Sequence, residues 1–153
     1  MIKILVIGSG AREHAIIKSL YKSSKKKTIY CLGTNNNPGI ADLCSELLVK
    51  NINDPEIVKS YAKEKKINFA IIGPENPLAN GIVDALLDIG IDSIGPKKEL
   101  AQIETSKSFT RNLLTTYKIP GTPKFKVFNT MNGVDDFLSV LGENYVIKYD
   151  GLA

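Results

Sequence analysis

Only two cysteines, Cys31 and Cys44, and a single histidine, His14, occur in the 153 residues. So few soft ligands exclude a disulfide framework or a Cys/His metal site, both of which need more ligands at closer spacing. Cys31 lies in the apolar run Ile29-Tyr30-Cys31-Leu32, and Cys44 falls on the apolar side of an expected helix, so both read as buried free thiols. Long hydrophobic runs are also missing. After Met1-Ile2-Lys3 only four apolar residues, Ile4 to Ile7, precede Gly8. That is too short for a leader core or a membrane span, and a cytoplasmic setting without a membrane partner is expected. Charge of one sign is scarce too: 20 Lys and Arg against 16 Asp and Glu leave a net +4. The excess gathers in Lys22, Lys25, Lys26 and Lys27 and in Lys63, Lys65 and Lys66. Each group sits at the end of an expected helix, where cations complement the helix dipole. They read as solvated helix ends, and no nucleic-acid partner is expected. Neither an internal repeat nor a low-complexity segment is present.

What remains is ordinary globular material, 43% hydrophobic and 24% charged, of a length that suits one domain or one domain and an incomplete second. Residues 2–7 are a β-branched apolar run that stops at Gly8-Ser9-Gly10, which predicts a strand buried on both faces. Helical spacing predicts a helix over 11–23, and 28–32 is a second strand. Residues 33–39 are turn chemistry, followed by a short helix over 40–48. Asp54 is placed to cap a helix with Pro55 at its first position, running to about residue 65. Strand three spans 68–72 and ends at Gly73-Pro74. A helix over 78–89 stops at Gly90, and strand four spans 91–94. This alternation predicts an α/β fold: a Rossmann-like parallel sheet with helices on both faces. Beyond residue 96 the rhythm changes to helices over 97–103 and 106–117, the second capped by Thr105. Two strands, 124–128 and 145–149, then flank a helix over 133–141. Two strands and one helix cannot bury their own apolar faces, so 101–153 reads as an interrupted domain after a first domain of 1–100.

Gly8-Ser9-Gly10-Ala11-Arg12-Glu13-His14 joins the first strand to the first helix. Glycines allow close backbone approach, the amides of a first helical turn point at an anion, and Arg12 adds a phosphate donor. A dinucleotide fits poorly. The fingerprint G-x-G-x-x-G wants a small residue where Glu13 stands, and an acidic residue where Gly33 and Thr34 end strand two. A single phosphate fits better. His14 is either a packing residue or a general acid–base, and Glu13 is expected to hold the fork of Arg12. Lys107 at a helix N-terminus and Lys148 within a strand are awkward places for cations unless each meets an anion. The bland alternative for both is a surface lysine with its stem packed down.

Taken together, the wording from Ile4 to Ala15 resembles the opening of the phosphoribosylamine–glycine ligases, G-S-G-G-R-E-H-A, with Ala11 in place of the third glycine. Four further stretches match in order: Asn36-Asn37-Pro38-Gly39; Gly73-Pro74-Glu75-Asn76-Pro77-Leu78; Gly95-Pro96 followed by Glu104-Thr105-Ser106-Lys107; and Val146 to Ala153. The resemblance implies an N-terminal α/β domain placed before an ATP-grasp core. It implies an enzyme that joins phosphoribosylamine to glycine with ATP and Mg²⁺, through a glycyl phosphate, in purine biosynthesis. The partners would be small molecules: phosphoribosylamine, glycine and ATP. By the same resemblance Gly8, Ser9, Gly10, Ala11, Arg12, Glu13 and His14 bind the substrate's 5′-phosphate. Gly73, Pro74, Glu75, Asn76, Pro77 and Leu78 line its cleft, and Lys107 and Lys148 meet ATP. No catalytic residue and no Mg²⁺ ligand is expected within this portion, and the portion alone is expected to be inactive. The rival reading is a phosphate-binding α/β module without chemistry. The residues leave oligomeric state and the glycine site open.

Overall fold

The computed structural model describes residues 1–151. Leu152 and Ala153, the end of the last matching stretch, lie outside the described residues. The chain forms two compact units, Met1–Ala101 and Gln102–Ala153.

The first unit is built on five parallel strands: β1 (Ile2–Ile7), β2 (Lys27–Gly33), β3 (Glu46–Val49), β4 (Phe69–Ile72) and β5 (Asp92–Ile94), in the order β3-β2-β1-β4-β5. Helices α1 (Ala11–Lys22), α2 (Pro38–Ala41), α3 (Pro55–Lys65), α4 (Glu75–Ala79) and α5 (Ile82–Leu87) complete it, with the start of α6 (Lys98–Thr105). β1 is central because Ile4 to Ile7 are all buried, with neighbours on both edges and helices over both faces. Successive side chains serve opposite faces. Leu5 and Ile7 join a core with Leu32, Val58, Ile72, Ile82 and Leu86, which brings in α3 and α5. Val6 joins Ile17, Ile29, Cys31 and Ile40, which brings in α1 and α2. The α/β parallel sheet with helices on both faces is therefore as the alternating pattern implies. Asp54 caps α3 as expected, its Oδ1 accepting the Glu56 amide at 2.9 Å.

Two elements differ from expectation. Residues 40–48 are not one helix. Asn37 caps and Pro38 opens α2 two residues earlier, and the chain leaves it after one turn. The Ser45 amide then donates to the Ile29 carbonyl at 2.8 Å and lays Glu46–Val49 along β2 as an edge strand. A free sheet edge outweighed the helical spacing of Leu43, Leu47 and Leu48. Cys44 accordingly lies in the turn between, half-buried, and not on a helix face. Burial pushes the Cys31 thiol up to about 12 and the Cys44 thiol up to about 11, so neither supplies a thiolate near neutrality. The helix expected over 78–89 starts earlier, at Glu75, and is interrupted at Asn80-Gly81. Asn80 closes α4 by donating from Nδ2 to the Asn76 carbonyl at 2.8 Å.

The second unit holds the end of α6, α7 (Lys107–Thr116) and α8 (Val134–Leu141). Ser106, not Thr105, caps α7: its Oγ accepts the Phe109 amide at 3.1 Å, while Thr105 is the last residue of α6. Residues 124–128 and 145–149 form no strands. Extended chain becomes a strand only when its amides and carbonyls find a partner edge. Residue 128 is held instead by side chains: Phe128 and Phe137 of α8 stack tilted at 5.8 Å, with the Lys126 ammonium 4.8 Å from the Phe128 ring. Among the described residues no helix is long and apolar enough to cross a membrane.

Candidate functional site

In the first unit the sheet order reverses between β1 and β4. The chain leaves β1 for a helix on one face and leaves β4 for helices on the other, so the carboxyl ends of β1 and β4 form the switch point, the place where open parallel sheets bind ligands. Both loops begin inside the ladder, with the Gly8 amide on Leu32 O at 2.9 Å and the Gly73 amide on Ile7 O at 3.0 Å. Gly8 has φ +112°, and a Cβ there would stand 2.8 Å from Glu13 and from Pro74. Only glycine fits both constraints.

Ser9 is buried and organises the loop from below. Its Oγ donates to Asn35 Oδ1 at 2.8 Å and accepts the Thr34 and Asn35 amides, each at 3.2 Å. Asn37 Nδ2 donates to the Ser9 carbonyl at 3.0 Å. Asn35 was legible only as a turn residue and Asn37 only as part of a turn that matches the family, yet together they tie the first glycine loop to the turn after the second strand. Ala11 opens α1 and is exposed. The His14 ring is half-buried against Gly39, where a Cβ would lie 2.6 Å from Cε1.

Arg12 and Glu13 reach different partners. Arg12 Nη1 donates to the Gly73 carbonyl at 2.6 Å, and Nη1 and Nη2 share Glu75 Oε1 at 3.0 and 3.1 Å. Glu75 is held below the ordinary carboxylate range, first by a backbone amide and then by Arg12. Glu13 does not hold the arginine's fork. It turns inward, 5% exposed, and its Oε2 accepts the Gly10 amide at 2.7 Å. The room a small residue leaves in a dinucleotide fold is created here from the other side, by Gly8 and Gly73. Of the second stretch, the Gly73 carbonyl and Glu75 meet Arg12, and the Pro74 ring packs beside Gly8. Asn76 is within α4, while Pro77 and Leu78 are buried, Leu78 in the core.

In the second unit Lys107 is the first residue of α7, whose first turn carries no acidic residue. The anion comes from Asp150 instead. Its Oδ1 accepts the amides of Lys107 at 2.7 Å and Ser108 at 3.1 Å, Oδ2 accepts the Ser108 hydroxyl, and Lys107 Nζ donates to the Gly151 carbonyl. Lys148 is exposed, in a stretch without regular structure rather than in the middle of a strand. Asp150 escaped the sequence reading; the signal for it was a helix that opens on lysine with no acid of its own. The Ser108 hydroxyl above all, with the amides of Ser108, Lys107 and Gly151, holds the Asp150 carboxyl down at about 2. A depressed value stabilises the folded form fully above the unfolded carboxylate value, about 4. That contribution is lost as pH falls toward the folded value. The amide resonances of Lys107 and Ser108 are therefore expected to titrate together well below pH ~4. Titration at the ordinary carboxylate value would show that Asp150 does not cap α7 in solution.

No group of three or more His, Cys, Asp or Glu among the described residues could hold a metal ion. Two surface depressions, of about 320 and 380 Å³, are lined by residues such as Tyr21, Thr28, Leu43 and Ser45 and by Leu48, Lys50, Ser60 and Tyr61, and neither includes a residue of the two glycine loops.

A doubly wound parallel sheet with two glycine loops at its switch point defines an open α/β fold of the ligand-binding kind. Solved structures of ligases with this fold superpose on the chain. N5-carboxyaminoimidazole synthetase from Staphylococcus aureus complexed with ADP gives a TM-score of 0.76 at 16% identity, covering 99% of this chain and 39% of its own. Phosphoribosylglycinamide synthetase from Anaerococcus prevotii gives 0.67 at 15% identity, over 91% of this chain and 34% of its own. At such identities these likenesses show the fold. Sequence is more specific: the family model for phosphoribosylglycinamide synthetase, N domain, matches residues 2–104, and the chain belongs to that family. It is 43% identical over 150 residues to the phosphoribosylamine–glycine ligase of Methanosarcina barkeri, covering 98% of this chain and 34% of that protein. To that of Methanocaldococcus jannaschii it is 44% identical over 154 residues, with the same coverage. The chain thus spans about a third of the length of these curated relatives.

Proposed function

We propose that this chain is the N-terminal portion of an ATP-dependent phosphoribosylamine–glycine ligase of purine biosynthesis, working in the cytoplasm on small molecules. Residues 1–100 serve as its substrate-phosphate domain, and 101–153 begin its ATP-grasp domain. ATP with Mg²⁺ would supply the activation: the glycine carboxylate takes the terminal phosphoryl group and ADP leaves. The amine of phosphoribosylamine then attacks the acyl carbon and releases phosphate, giving glycinamide ribonucleotide. Within this chain the task is to hold charge. Residues 8–14 present helix amides and the 61% exposed Arg12 side chain toward the 5′-phosphate, and Gly73 to Glu75 form the facing wall. Lys107 and Lys148 carry positive charge for the ATP phosphates, and the Mg²⁺ ligands belong to sequence outside this chain.

The observation that supports this most directly is the meeting of the two glycine loops at the switch point, in a chain of this family. Titration of the chain with ribose 5-phosphate, followed by amide resonances, is expected to move residues 8–14 and 73–75. Arg12→Ala should weaken binding by roughly 1.5 to 3 kcal/mol, tenfold or more, because a charge-assisted contact is lost. NAD should give no saturable response, since Glu13 occupies the place of the small fingerprint residue and no acid ends β2. An unmoved 8–14 loop, or micromolar saturation by NAD, would refute this site.

A further inference from the structure

Glu13 and Ser9 are the two polar residues that are buried among the described residues, and Glu13 is the charged one. Its side chain touches three glycines from two loops. Oε2 accepts the Gly10 amide. Cγ and Cδ would stand 2.8 Å from a Cβ on Gly8 and 2.6 Å from one on Gly73, and Oε1 fills the place where a Gly73 side chain would begin. Arg12, the preceding residue of the same helical turn, takes the Gly73 carbonyl at 2.6 Å. The start of α1 therefore grips the β4 loop twice, once through its carbonyl and once through the space at its Cα. A buried carboxylate is a costly filler, and an apolar side chain of like length would occupy this slot at less expense. The charge is explained by what it takes up: the Gly10 amide, the first donor the loop would otherwise turn toward an anion.

We infer that Glu13 is a positioning residue that fastens the β1 and β4 loops into one frame and consumes the Gly10 amide, leaving an anion to the donors that follow Gly10. The anion clause rests on the proposed phosphate site; the fastening clause does not. The two are separated by measuring hydrogen exchange at the Gly10 amide without ligand, and ribose 5-phosphate affinity with it, in Glu13→Gln and Glu13→Met. Glutamine keeps an acceptor for Gly10, whereas methionine keeps only the bulk. Glu13→Met is expected to speed Gly10 exchange about tenfold or more and to weaken ribose 5-phosphate binding about tenfold, while Glu13→Gln keeps most of both. Should Glu13→Met fail to fold, Gly73→Ala with and without Glu13→Ala replaces it. The alanine methyl evicts the carboxylate, so the double variant should regain thermal stability over Gly73→Ala alone and still show fast Gly10 exchange. Glu13→Met with normal exchange and affinity, Glu13→Gln as impaired as Glu13→Met, or a double variant with slow Gly10 exchange would each overturn the inference. Fast exchange in Glu13→Met, with no ribose 5-phosphate binding even by the unchanged chain, would keep the fastening role and reject the phosphate site.

Discussion

Gly8→Ala is expected to be the most damaging single methyl that can be added to the first unit, lowering its stability by roughly 3 to 5 kcal/mol. Two costs add at one atom. The backbone stands at φ +112°, which an L side chain adopts only with strain, and the new Cβ would lie 2.8 Å from Glu13 and from the Pro74 ring. Neither neighbour can retreat easily: Glu13 is anchored on the Gly10 amide, and Pro74 follows a glycine whose carbonyl is bound by Arg12. For a unit of about 100 residues that loss corresponds to a fall in Tm of roughly 15 °C or more. Gly90→Ala is the control. Gly90 also has positive φ, at +76°, but nothing lies within 4 Å of its Cβ position, so only the strain of about 1 to 2 kcal/mol is expected. Thermal melts of the two variants decide it: equal, small losses would mean that the Gly8 loop is not packed against Glu13 and Pro74.

Lys148→Ala should act in the opposite way, with a large effect on chemistry and little on stability. The side chain is exposed, in a stretch without regular structure, so its removal should leave Tm within about 2 °C. If Lys148 meets an ATP phosphate in the complete protein, turnover should fall about 100-fold or more, the usual cost of deleting one preorganised charge partner. Lys107→Ala is the instructive contrast, because its ammonium also ties α7 to the Gly151 carbonyl. That variant should lose both turnover and the tie to Gly151, while the Lys107 and Ser108 amides and the Ser108 hydroxyl still hold Asp150. A Lys148→Ala protein with normal turnover would remove the lysine from the nucleotide site.

The parallel α/β sheet, its central strand and the cap at Asp54 were legible because each is written locally, in apolar runs bounded by glycine and in an Asp-Pro pair. The edge strand Glu46–Val49 was not, since its identity depends on an edge of β2 far away in sequence. The segments 124–128 and 145–149 erred in the other direction: their apolar alternation suits a strand, but pairing is decided by a partner edge and not by pattern. The same division runs through the site. The Gly8 loop and Arg12 announce themselves, whereas the Arg12–Glu75 pair joins residues more than sixty positions apart. Asp150 lies more than forty positions from the helix N-terminus that it caps. Glu13 was visible as the residue that opposes a dinucleotide. Its inward turn depended on two glycines, one of them beyond β4, which spacing within the first loop could not reveal.

The central claim, that this chain is one part of a ligase whose chemistry needs the remainder, is tested most directly by complementation. The chain is assayed with phosphoribosylamine, glycine and Mg-ATP, alone and with the rest of the parent protein supplied as a separate polypeptide. Alone it should give no glycinamide ribonucleotide. Lys107 and Lys148 in water offer only screened attraction to ATP, and without the metal ligands the phosphate charge is uncompensated. An acyl phosphate formed without a closed site would be lost to water. Mixing should restore turnover, and Lys148→Ala should abolish the rescue. Turnover by the chain alone, or none after mixing two folded partners, would contradict the account.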